Sequence, residues 1–422
     1  MSGNGRRGRI LVIGGGISGL TAAIEAAEVG ADVVLVEREA FLGGRVARSN
    51  LYFPKMCPPT CGLEINIRRI KTNPRIRCLT LSTVESISGG PGSYRATIRK
   101  NPRFVNERCT ACGECVEVCP ADRPNDFNMG LDTTKAAYLP FEMAHPTRFI
   151  IDESACLGAE ECGKCVDACP YGAIDLGMEP ETVEVEVDSV IWATGWDPPD
   201  ATQFEGLGFG QHANVINNVT MERLAAPNGP TGGKIQRPSD GAEPESVAFV
   251  QCAGSRDENY LKYCSGVCCL ASLKQARYVR DQLPEAEILV FYIDLRAPGR
   301  LEDFLVATKE DENLTLIKGK VGKITGDSTT GNLTVEAEDT LSGRKMAKEV
   351  GMVVLATGMV PTGIGDTEVE GGIETDEHGF LSIHQPQEGM LAAGVAKRPT
   401  DVATCNRDAT GVALKAFHFS AE

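Results

Sequence analysis

The sequence predicts an α/β protein in which a cysteine-rich insertion interrupts a sheet of buried strands. Three observations lead to this fold class. A strand, a Gly-rich turn, a helix and a second strand follow one another at the start of the chain, two apolar strands end in A-T-G, and two cysteine runs lie in the first half of the chain. With 422 residues, the chain is long enough for two or three domains.

The composition is that of a folded, acidic globular protein. Apolar residues make up 42% of the chain, and the formal net charge is −16 at pH 7. Because phosphate contacts require clustered Lys and Arg, this charge argues against a nucleic-acid partner and favours small molecules or other proteins. No stretch approaches the roughly 20 apolar residues of a membrane span. The opening MSGNGRRGRILVIGGGISGL is interpreted as a mature N-terminus.

The segment RILVIGGGISGLTAAIEAAEVGADVVLVERE carries a dinucleotide-binding signature. Gly14, Gly16 and Gly19 fit G-x-G-x-x-G, and Glu37 closes the second strand. The glycines allow a tight turn and close backbone approach to a pyrophosphate, and the helix N-terminus supplies a positive partial charge. Glu37 can accept hydrogen bonds from a ribose. An ordinary strand-to-helix turn would not account for this acid, so we expect a bound dinucleotide.

Four further segments resemble parts of two-dinucleotide-binding flavoproteins of the thioredoxin and glutathione reductase type. FLGGRV resembles their second glycine motif, VIWATGWDP and VVLATGMVP resemble the strands where the chain crosses between modules, and GMLAAGVAKRP resembles the C-terminal flavin-binding strand. In that last segment Val395 stands where an acidic residue often follows the glycine. The resemblance implies FAD, with the following binding residues: Gly14, Gly16, Gly19, Glu37, Arg38, Gly43, Gly44, Arg45, Ala193, Thr194, Gly195, Gly358, Gly394 and Val395.

Eight of the 16 cysteines form two ferredoxin-type runs. CTACGECVEVCP matches C-x2-C-x2-C-x3-C-P, and CLGAEECGKCVDACP repeats it with a wider first gap. In this motif three thiolates of one run hold one cubane, and the fourth ligates the other cluster. Two [4Fe–4S] clusters are therefore predicted, with zinc or structural cysteines as alternatives. The predicted ligand sets are Cys109, Cys112, Cys115 and Cys169 for one cluster, and Cys119, Cys156, Cys162 and Cys165 for the other.

The second nucleotide-binding module departs from its expected motif. After the linker AAPNGPTGGKIQRPSDGAEP, the strand SVAFV leads into Gln251 and Cys252, where a nicotinamide-binding module would carry glycines. Without this pyrophosphate cradle, direct reduction by NAD(P)H is not expected. Cys252, Cys264, Cys268 and Cys269 stand there instead. Each alone could be a small buried hydrophobe, but four together favour a metal centre.

Over nearly its whole length the chain resembles the flavin subunit of heterodisulfide reductases. It is more similar still to the branch that forms the A subunit of the quinone-interacting membrane-bound oxidoreductase complex of sulfate reducers, on the stretches FPKMCPPTCGLEINIRRIK, RPNDFNMGLDTTKAAYLPFEMA and MERLAAPNGPTGGKIQRPSDG. The resemblance implies a third [4Fe–4S] cluster on the second-module cysteines. It also implies that Lys274 lies near the flavin, where a cation stabilises the reduced, anionic form. An exposed helix lysine is the alternative.

The same resemblance implies partners and a location. The partners are a second iron–sulfur flavoprotein subunit, a haem- and quinone-binding membrane subunit, and a cytoplasmic acceptor such as adenylylsulfate reductase. Electrons would pass between the menaquinol pool and that acceptor, with the chain in the cytoplasm and peripheral at the inner membrane. Because the sequence lacks the extra N-terminal domain and C-terminal ferredoxin of heterodisulfide reductase subunits, their own reaction is not expected.

Other functions and boundaries complete these expectations. The rival functions are an NAD(P)H-dependent oxidoreductase similar to the small subunit of glutamate synthase, a heterodisulfide-reductase-type subunit, and a zinc-binding scaffold. Cys57 and Cys61 in CPPTC could form a redox dithiol, but the two intervening prolines disfavour the helix that such pairs occupy. The expected domains are 1–104 (FAD-binding, first part), 105–178 (two-cluster insertion), 179–244 (return to the FAD domain and linker), 245–350 (second module with the cysteine set) and 351–422 (FAD-binding, second part).

Overall fold

The structure is a computed structural model that describes residues 8–382 and 389–421. The chain forms two compact units. The described parts of Met1–Ala47, Thr60–Trp196 and Pro361–Glu422 make up the first unit, and Arg48–Pro59 and Asp197–Val360 make up the second. The second unit thus includes residues 48–59, and its main segment runs from 197 to 360 rather than from 245 to 350 as the sequence predicts.

The strands and helices follow the predicted alternation in both units. The strands are β1 (Arg9–Ile13), β2 (Asp32–Val36), β3 (Ile76–Leu79), β4 (Ser82–Gly90), β5 (Ser93–Lys100), β6 (Asp122–Pro124), β7 (Thr133–Lys135), β8 (Ala137–Tyr138), β9 (Ile150–Ile151), β10 (Glu181–Val187), β11 (Ser189–Trp192), β12 (Trp196–Asp197), β13 (Val215–Asn217), β14 (Ser246–Val250), β15 (Glu287–Tyr292), β16 (Leu314–Lys318), β17 (Val321–Gly326), β18 (Leu333–Asp339), β19 (Arg344–Val350), β20 (Met352–Leu355), β21 (Val360–Pro361), β22 (Glu368–Val369) and β23 (Met390–Ala392). The helices are α1 (Ile17–Glu28), α2 (Gly44–Ala47), α3 (Thr60–Thr72), α4 (Glu114–Glu117), α5 (Gly158–Glu161), α6 (Lys164–Ala168), α7 (Asn218–Ala225), α8 (Cys268–Gln282), α9 (Glu302–Lys309) and α10 (Val402–Ala421).

A five-stranded parallel sheet in the order β23-β11-β1-β2-β3 forms the centre of the first unit. The apolar strands RILVI and SVIW are almost fully buried, as strands covered on both faces of a parallel sheet are. Parallel neighbours need a crossover, which α1 supplies between β1 and β2, and α10 packs against α1. The loops that follow β1, β2 and β11 therefore meet at one edge of this sheet.

The cysteine-rich insertion lies between two adjacent strands of a second sheet in the same unit. That sheet has the order β10-β5-β4-β22, and β5 pairs with β10 in antiparallel register, with Lys100 opposite Glu181. The two ends of the insertion are thus neighbours, so it can be added without displacing either strand. Its own core contains apolar residues and two of the predicted ligands, including Phe104, Phe149, Ile151, Ile174, Cys115 and Cys165.

The second unit contains a parallel sheet in the order β13-β20-β14-β15-β16 and an antiparallel sheet β17-β18-β19. Its buried strands SVAFV and MVVL form the centre, and α8 follows the loop that leaves β14. Because β20 belongs to this sheet, its A-T-G turn with Gly358 lies in the second unit and not in the FAD-binding part predicted to begin at 351. Within the described ranges, no helix combines the length and apolar character needed to cross a bilayer.

Candidate functional site

The Gly-rich turn between β1 and α1 forms a backbone cradle. Gly14 has a φ of +107°, and a Cβ at this position would lie 2.4 Å from the carbonyl oxygen of Ala193. A Cβ at Gly19 would lie 1.7 Å from the oxygen of Gly14, so both glycines are required for close packing of α1. At Gly16, by contrast, a Cβ would meet only the Cα of Gly44, at 3.9 Å. Gly16 caps α1 without a side chain, which leaves the first-turn amides for a phosphate.

Glu37 lies against this turn, directly after β2. The residue is 7% exposed, and its carboxylate accepts hydrogen bonds from the backbone amides of Gly15, at 2.6 Å, and Glu39, at 2.8 Å. Burial raises the pKa of Glu37 to about 6, while the two amide hydrogen bonds oppose that shift. A carboxylate has about four acceptor sites, so Glu37 keeps capacity for ribose hydroxyls. Arg38 follows it in the same loop.

The second glycine motif is attached to the first. The amide of Gly43 donates to the oxygen of Gly15 at 2.8 Å, and Gly44 has a φ of +54°. Arg45 donates from Nε to the carbonyl oxygen of Trp196 at 2.7 Å, and its guanidinium carbon lies 4.9 Å from the centre of the Trp196 ring. The structure therefore joins two of the predicted binding segments with the residues that follow β11.

The A-T-G turn after β11 carries an unsatisfied polar atom. The hydroxyl oxygen of Thr194 is buried and has no hydrogen-bond partner among the described residues. Buried hydroxyls are normally paired in proteins. Together with the glycine cradle and the buried acid, this hydroxyl fits a ligand that carries phosphates and hydroxyls, as FAD does. The turn is completed by Ala193, which is buried, and by Gly195, whose φ is +76°.

The C-terminal flavin-binding segment contains an acid that no sequence motif indicates. Gly394 has a φ of +64°, and a Cβ there would lie 2.1 Å from the hydroxyl oxygen of Ser18. The amide of Gly394 donates to the carboxylate of Asp408 at 2.8 Å, and Lys397 pairs with the same carboxylate. Val395, at the position that often carries an acid, is 6% exposed. Asp408 comes from α10, fourteen residues after Gly394, so sequence reasoning missed it.

The predicted ligands of one ferredoxin-type cluster line a common cavity. Cys119, Cys156, Cys162 and Cys165 all border a space of about 340 Å³, counted to its open mouth. The amide of Gly158 points at the sulfur of Cys156 at 3.4 Å, a type of hydrogen bond that tunes cluster potentials. Predicted ligands from both cysteine runs therefore border the same space, and their assignment to one cluster stays a prediction.

The other predicted set shows a similar crowding of thiols. Burial, together with the neighbouring thiols of Cys109, Cys165 and Cys112, raises the pKa of the Cys115 thiol to about 12. Cys169 accepts a hydrogen bond from the amide of Ala173 at 3.3 Å. Cys165 belongs to the second predicted set, so the two sets lie side by side.

The polar segment between the cysteine runs packs onto the loop before the second glycine motif. Phe41 contacts Phe127 and Phe141 with ring centres 5.7 and 5.2 Å apart, and the amide of Leu42 donates to the oxygen of His145 at 3.0 Å. The buried Arg103 donates to the carbonyl oxygen of Ala40 at 2.5 Å and to the hydroxyl of Thr80 at 3.0 Å. The insertion is thus fastened to the flavin-binding loop by packing and hydrogen bonds.

The four cysteines of the second module also lie together. Cys252 is 7% exposed and has a φ of +55°, an unusual value for a residue other than glycine. Burial raises the pKa of the Cys268 thiol, and the thiols of Cys269, Cys252 and Cys264 add to the shift. The side-chain amide of Gln251 is buried, and neither of its polar atoms has a partner among the described residues. This set provides both thiolate ligands and an unsatisfied polar group, which fits a thiolate-bound cluster.

These thiols are not arranged around one ion. In the part of the chain that the structure describes, no three His, Cys, Asp or Glu side chains lie close enough to share a single metal ion. In a cubane each thiolate ligates a different iron, so its ligands stand around a four-iron core rather than around one atom.

Lys274 is not the exposed helix lysine that was the alternative to a flavin neighbour. Its side chain is 9% exposed and its Nζ lies 2.9 Å from a carboxylate oxygen of Glu222. Nζ also donates to the carbonyl oxygen of Leu51 at 2.8 Å. Glu222 accepts further hydrogen bonds from Gln275 at 2.7 Å and Tyr278 at 3.2 Å. Sequence reasoning missed this network, because its acid lies on α7, outside any recognised motif.

Cys57 and Cys61 occupy different local structures. Cys61 lies in the first turn of α3 and is exposed, whereas Cys57 precedes that helix and is half-buried. The helix begins at Thr60, directly after the two prolines, which would break the interior of a helix.

Three segments of the chain match known protein families. Residues 9–60 match the family model of FAD dependent oxidoreductases. Residues 102–122 and 149–174 each match a 4Fe-4S binding domain. Among solved structures, thioredoxin reductases of T. acidophilum and Lactococcus lactis share the fold with TM-scores of 0.54 at 14% identity, and the alignments cover 98% of this chain and at least 98% of theirs.

Curated relatives extend this similarity to most of the chain. The A subunit of the H(2):CoB-CoM heterodisulfide,ferredoxin reductase of Methanothermobacter marburgensis is 37% identical over 97% of this chain and 63% of its own length. An iron–sulfur A subunit of the CoB–CoM heterodisulfide reductase of Methanopyrus kandleri is 40% identical over 97% of this chain and 64% of its own length. The chain thus spans a little under two thirds of these relatives. It is an oxidoreductase with an FAD-dependent domain and two 4Fe–4S binding domains, homologous to the A subunits of heterodisulfide reductases.

Proposed function

We propose that this chain is an electron-transfer subunit that exchanges electrons between FAD and three [4Fe–4S] clusters. FAD can exchange two electrons at once, whereas each iron–sulfur cluster carries one, so the two together connect a two-electron donor to a one-electron pathway. The chain would hold FAD through the glycine cradle, Glu37 and the Thr194 turn, and the clusters through the three cysteine sets described above. Lys274 is proposed, from the family resemblance, as a neighbour of the flavin.

One observation carries the proposal most directly. In the second unit, β14 is followed by Gln251 and Cys252 instead of a glycine cradle, and Cys252 lies with three further thiols. The loop after β14 therefore offers no phosphate-binding turn to a nicotinamide dinucleotide. Electrons must then reach the chain through another protein rather than as a hydride from NAD(P)H.

The proposed biological context is quinone-linked respiration. The resemblance favours a membrane complex that connects the menaquinol pool to an acceptor such as adenylylsulfate reductase. Its other members would be a second iron–sulfur flavoprotein and a membrane protein that binds haem and quinone. The chain would then lie in the cytoplasm, peripheral at the inner membrane. A heterodisulfide-reductase-type role is the second candidate, because relatives named for that reaction match 97% of the chain.

Metal and flavin analysis of anaerobically purified protein tests the cofactor assignment. Three cubanes require about twelve irons and twelve acid-labile sulfides per FAD, whereas about eight would remove the third cluster. Zinc without sulfide would favour the scaffold alternative. Mixing with excess NADPH under anaerobic conditions should leave the flavin absorbance unchanged over minutes, and rapid bleaching would instead support the glutamate-synthase-like function.

Co-purification tests the context. Tagged protein isolated from its native cells with mild detergent should carry a membrane protein that contains haem. In that complex, a menaquinol analogue should reduce this chain, or the corresponding menaquinone analogue should oxidise the reduced chain. Isolation with only soluble heterodisulfide reductase subunits would support the second candidate.

A further inference from the structure

Arg256 contacts the third cysteine set without belonging to it. Its guanidinium forms a 2.9 Å ion pair with the carboxylate of Asp294 and interacts electrostatically with the thiol of Cys252. The carbonyl oxygen of Asp294 lies 3.4 Å from the sulfur of Cys269. One arginine–aspartate pair therefore reaches two of the four cysteines.

The backbone of this loop holds Arg256 in place. Arg256 has a φ of +55°, in the left-handed region that residues other than glycine adopt at some energetic cost. Its amide donates to the carbonyl oxygen of Tyr263 at 3.2 Å, and the backbones of Ser255 and Leu261 form an isolated β-bridge. The loop thus folds back on itself between Cys252 and Cys264, and the residue with the left-handed backbone is the one whose side chain pairs with Asp294.

The two charges of the pair are screened unequally. The Arg256 side chain is 27% exposed, whereas that of Asp294 is 50% exposed. Charges in contact with water interact more weakly than partly buried ones. The positive charge is therefore the stronger influence at Cys252. Hydrogen bonds to ligand sulfurs and the net charge near a cluster are the established controls of its reduction potential.

We propose that Arg256 raises the reduction potential of the third cluster through its positive charge, and that Asp294 positions it. Reduction adds one electron, and hence one negative charge, to the thiolate-bound cluster, and no bond forms or breaks. A fixed cation beside a ligand sulfur stabilises that added charge. This inference rests on the proposed third cluster.

The test measures midpoint potentials by EPR-monitored titration of the holoprotein with dithionite. The signal of the third cluster is the one lost in Cys264→Ser. In Arg256→Gln that signal should become at least tenfold harder to reduce, a fall of about 59 mV for one electron. Asp294→Asn keeps an acceptor oxygen that holds the guanidinium in place but removes the counter-charge, so the same signal should become about threefold easier to reduce. The two ferredoxin-type clusters should not shift in either variant.

Arg277→Gln is the matched control, because Arg277 lies on α8 with Cys268 and Cys269 but pairs with Asp281 and is 60% exposed. It should shift no signal. Unchanged potentials in Arg256→Gln with full iron content would overturn the inference. If Arg256→Gln loses four irons, the test rests on Asp294→Asn. An unchanged or lower potential of the third cluster in that variant would contradict the proposal that the Arg256 charge raises this potential. Only eight irons in the parent protein would remove the third cluster and this inference with it, whereas twelve irons without a shift would remove the inference alone.

Discussion

Replacing Gly16 with alanine should impair FAD binding without impairing folding. The geometry of the turn allows an added Cβ there, since its nearest neighbour would be the Gly44 Cα at 3.9 Å. Gly16 has φ −73° and ψ −175°, which alanine adopts freely. We expect the unfolding free energy of the FAD-free protein to change by no more than about 0.5 kcal/mol. The added methyl group would occupy the approach to the first-turn amides of α1, so FAD affinity should fall at least tenfold, or about 1.4 kcal/mol.

Gly19→Ala makes the opposite prediction. Its Cβ would lie 1.7 Å from the oxygen and 2.9 Å from the carbonyl carbon of Gly14, and both are backbone atoms that cannot rotate away. Overpacking typically costs about 1–3 kcal/mol, and the gain in helix propensity offsets only about 1 kcal/mol. A clash this short belongs at the upper end, so we expect a net loss of about 2 kcal/mol or more.

The assay combines urea unfolding of FAD-free protein with fluorescence titration of FAD. Gly411→Ala on α10 is the control, because nothing lies within 4 Å of its Cβ position and the helix should gain about 0.5–1 kcal/mol. Wild-type FAD affinity in Gly16→Ala would refute the assignment of Gly16 to the cofactor cradle. Equal stability of the Gly16 and Gly19 variants would refute the packing argument.

Three further predictions concern charge and ligands. Burial raises the pKa of Glu37 from 4.5 to about 6, so the folded FAD-free protein binds a proton that the unfolded chain has already released in this range. The stability that this protonation contributes is full below pH 4.5 and is lost, by about 2 kcal/mol, as the pH rises through 6. Glu37→Gln should flatten the pH dependence of the urea-measured stability, and an unchanged slope would contradict the raised pKa of Glu37. Lys274→Met leaves the Glu222 carboxylate buried without its cation and should lower the free energy of unfolding by about 3–5 kcal/mol. The double variant Lys274→Met with Glu222→Gln should recover most of this loss. No recovery would argue against the ion pair as the cause. Cys162→Ser should lower iron by about four per FAD while FAD content stays constant, and full iron content would exclude Cys162 as a ligand.

Local spacing explains why much of the site was predictable. A glycine motif or a cysteine run encodes its chemistry within about a dozen residues, because a turn or a cluster-binding loop is itself that short. The matches at residues 9–60, 102–122 and 149–174 fall on the predicted segments. The α/β fold with its inserted ferredoxin-like segment is confirmed, whereas the assignment of individual ligands to individual clusters stays a prediction.

Pairings across long sequence separations were not predictable in the same way. Asp408 reaches Gly394 from a different element, and Glu222 reaches Lys274 across 52 residues. The domain boundaries also changed, since residues 48–59 belong with the second unit although they follow the second glycine motif directly. Such contacts depend on which surfaces pack together, and no local pattern records that choice.

By itself, the sequence determined the cofactor classes, since thiolate spacing and glycine placement are local requirements of clusters and phosphates. It also determined that the second module lacks a nucleotide cradle. Only the tertiary structure decided what surrounds those groups: the burial that perturbs Glu37, the ion pair that makes Lys274 a buried residue, and the arginine beside Cys252. The physical reason is that ligands are chosen by short-range chemistry, whereas their electrostatic surroundings come from chain segments brought together only by folding.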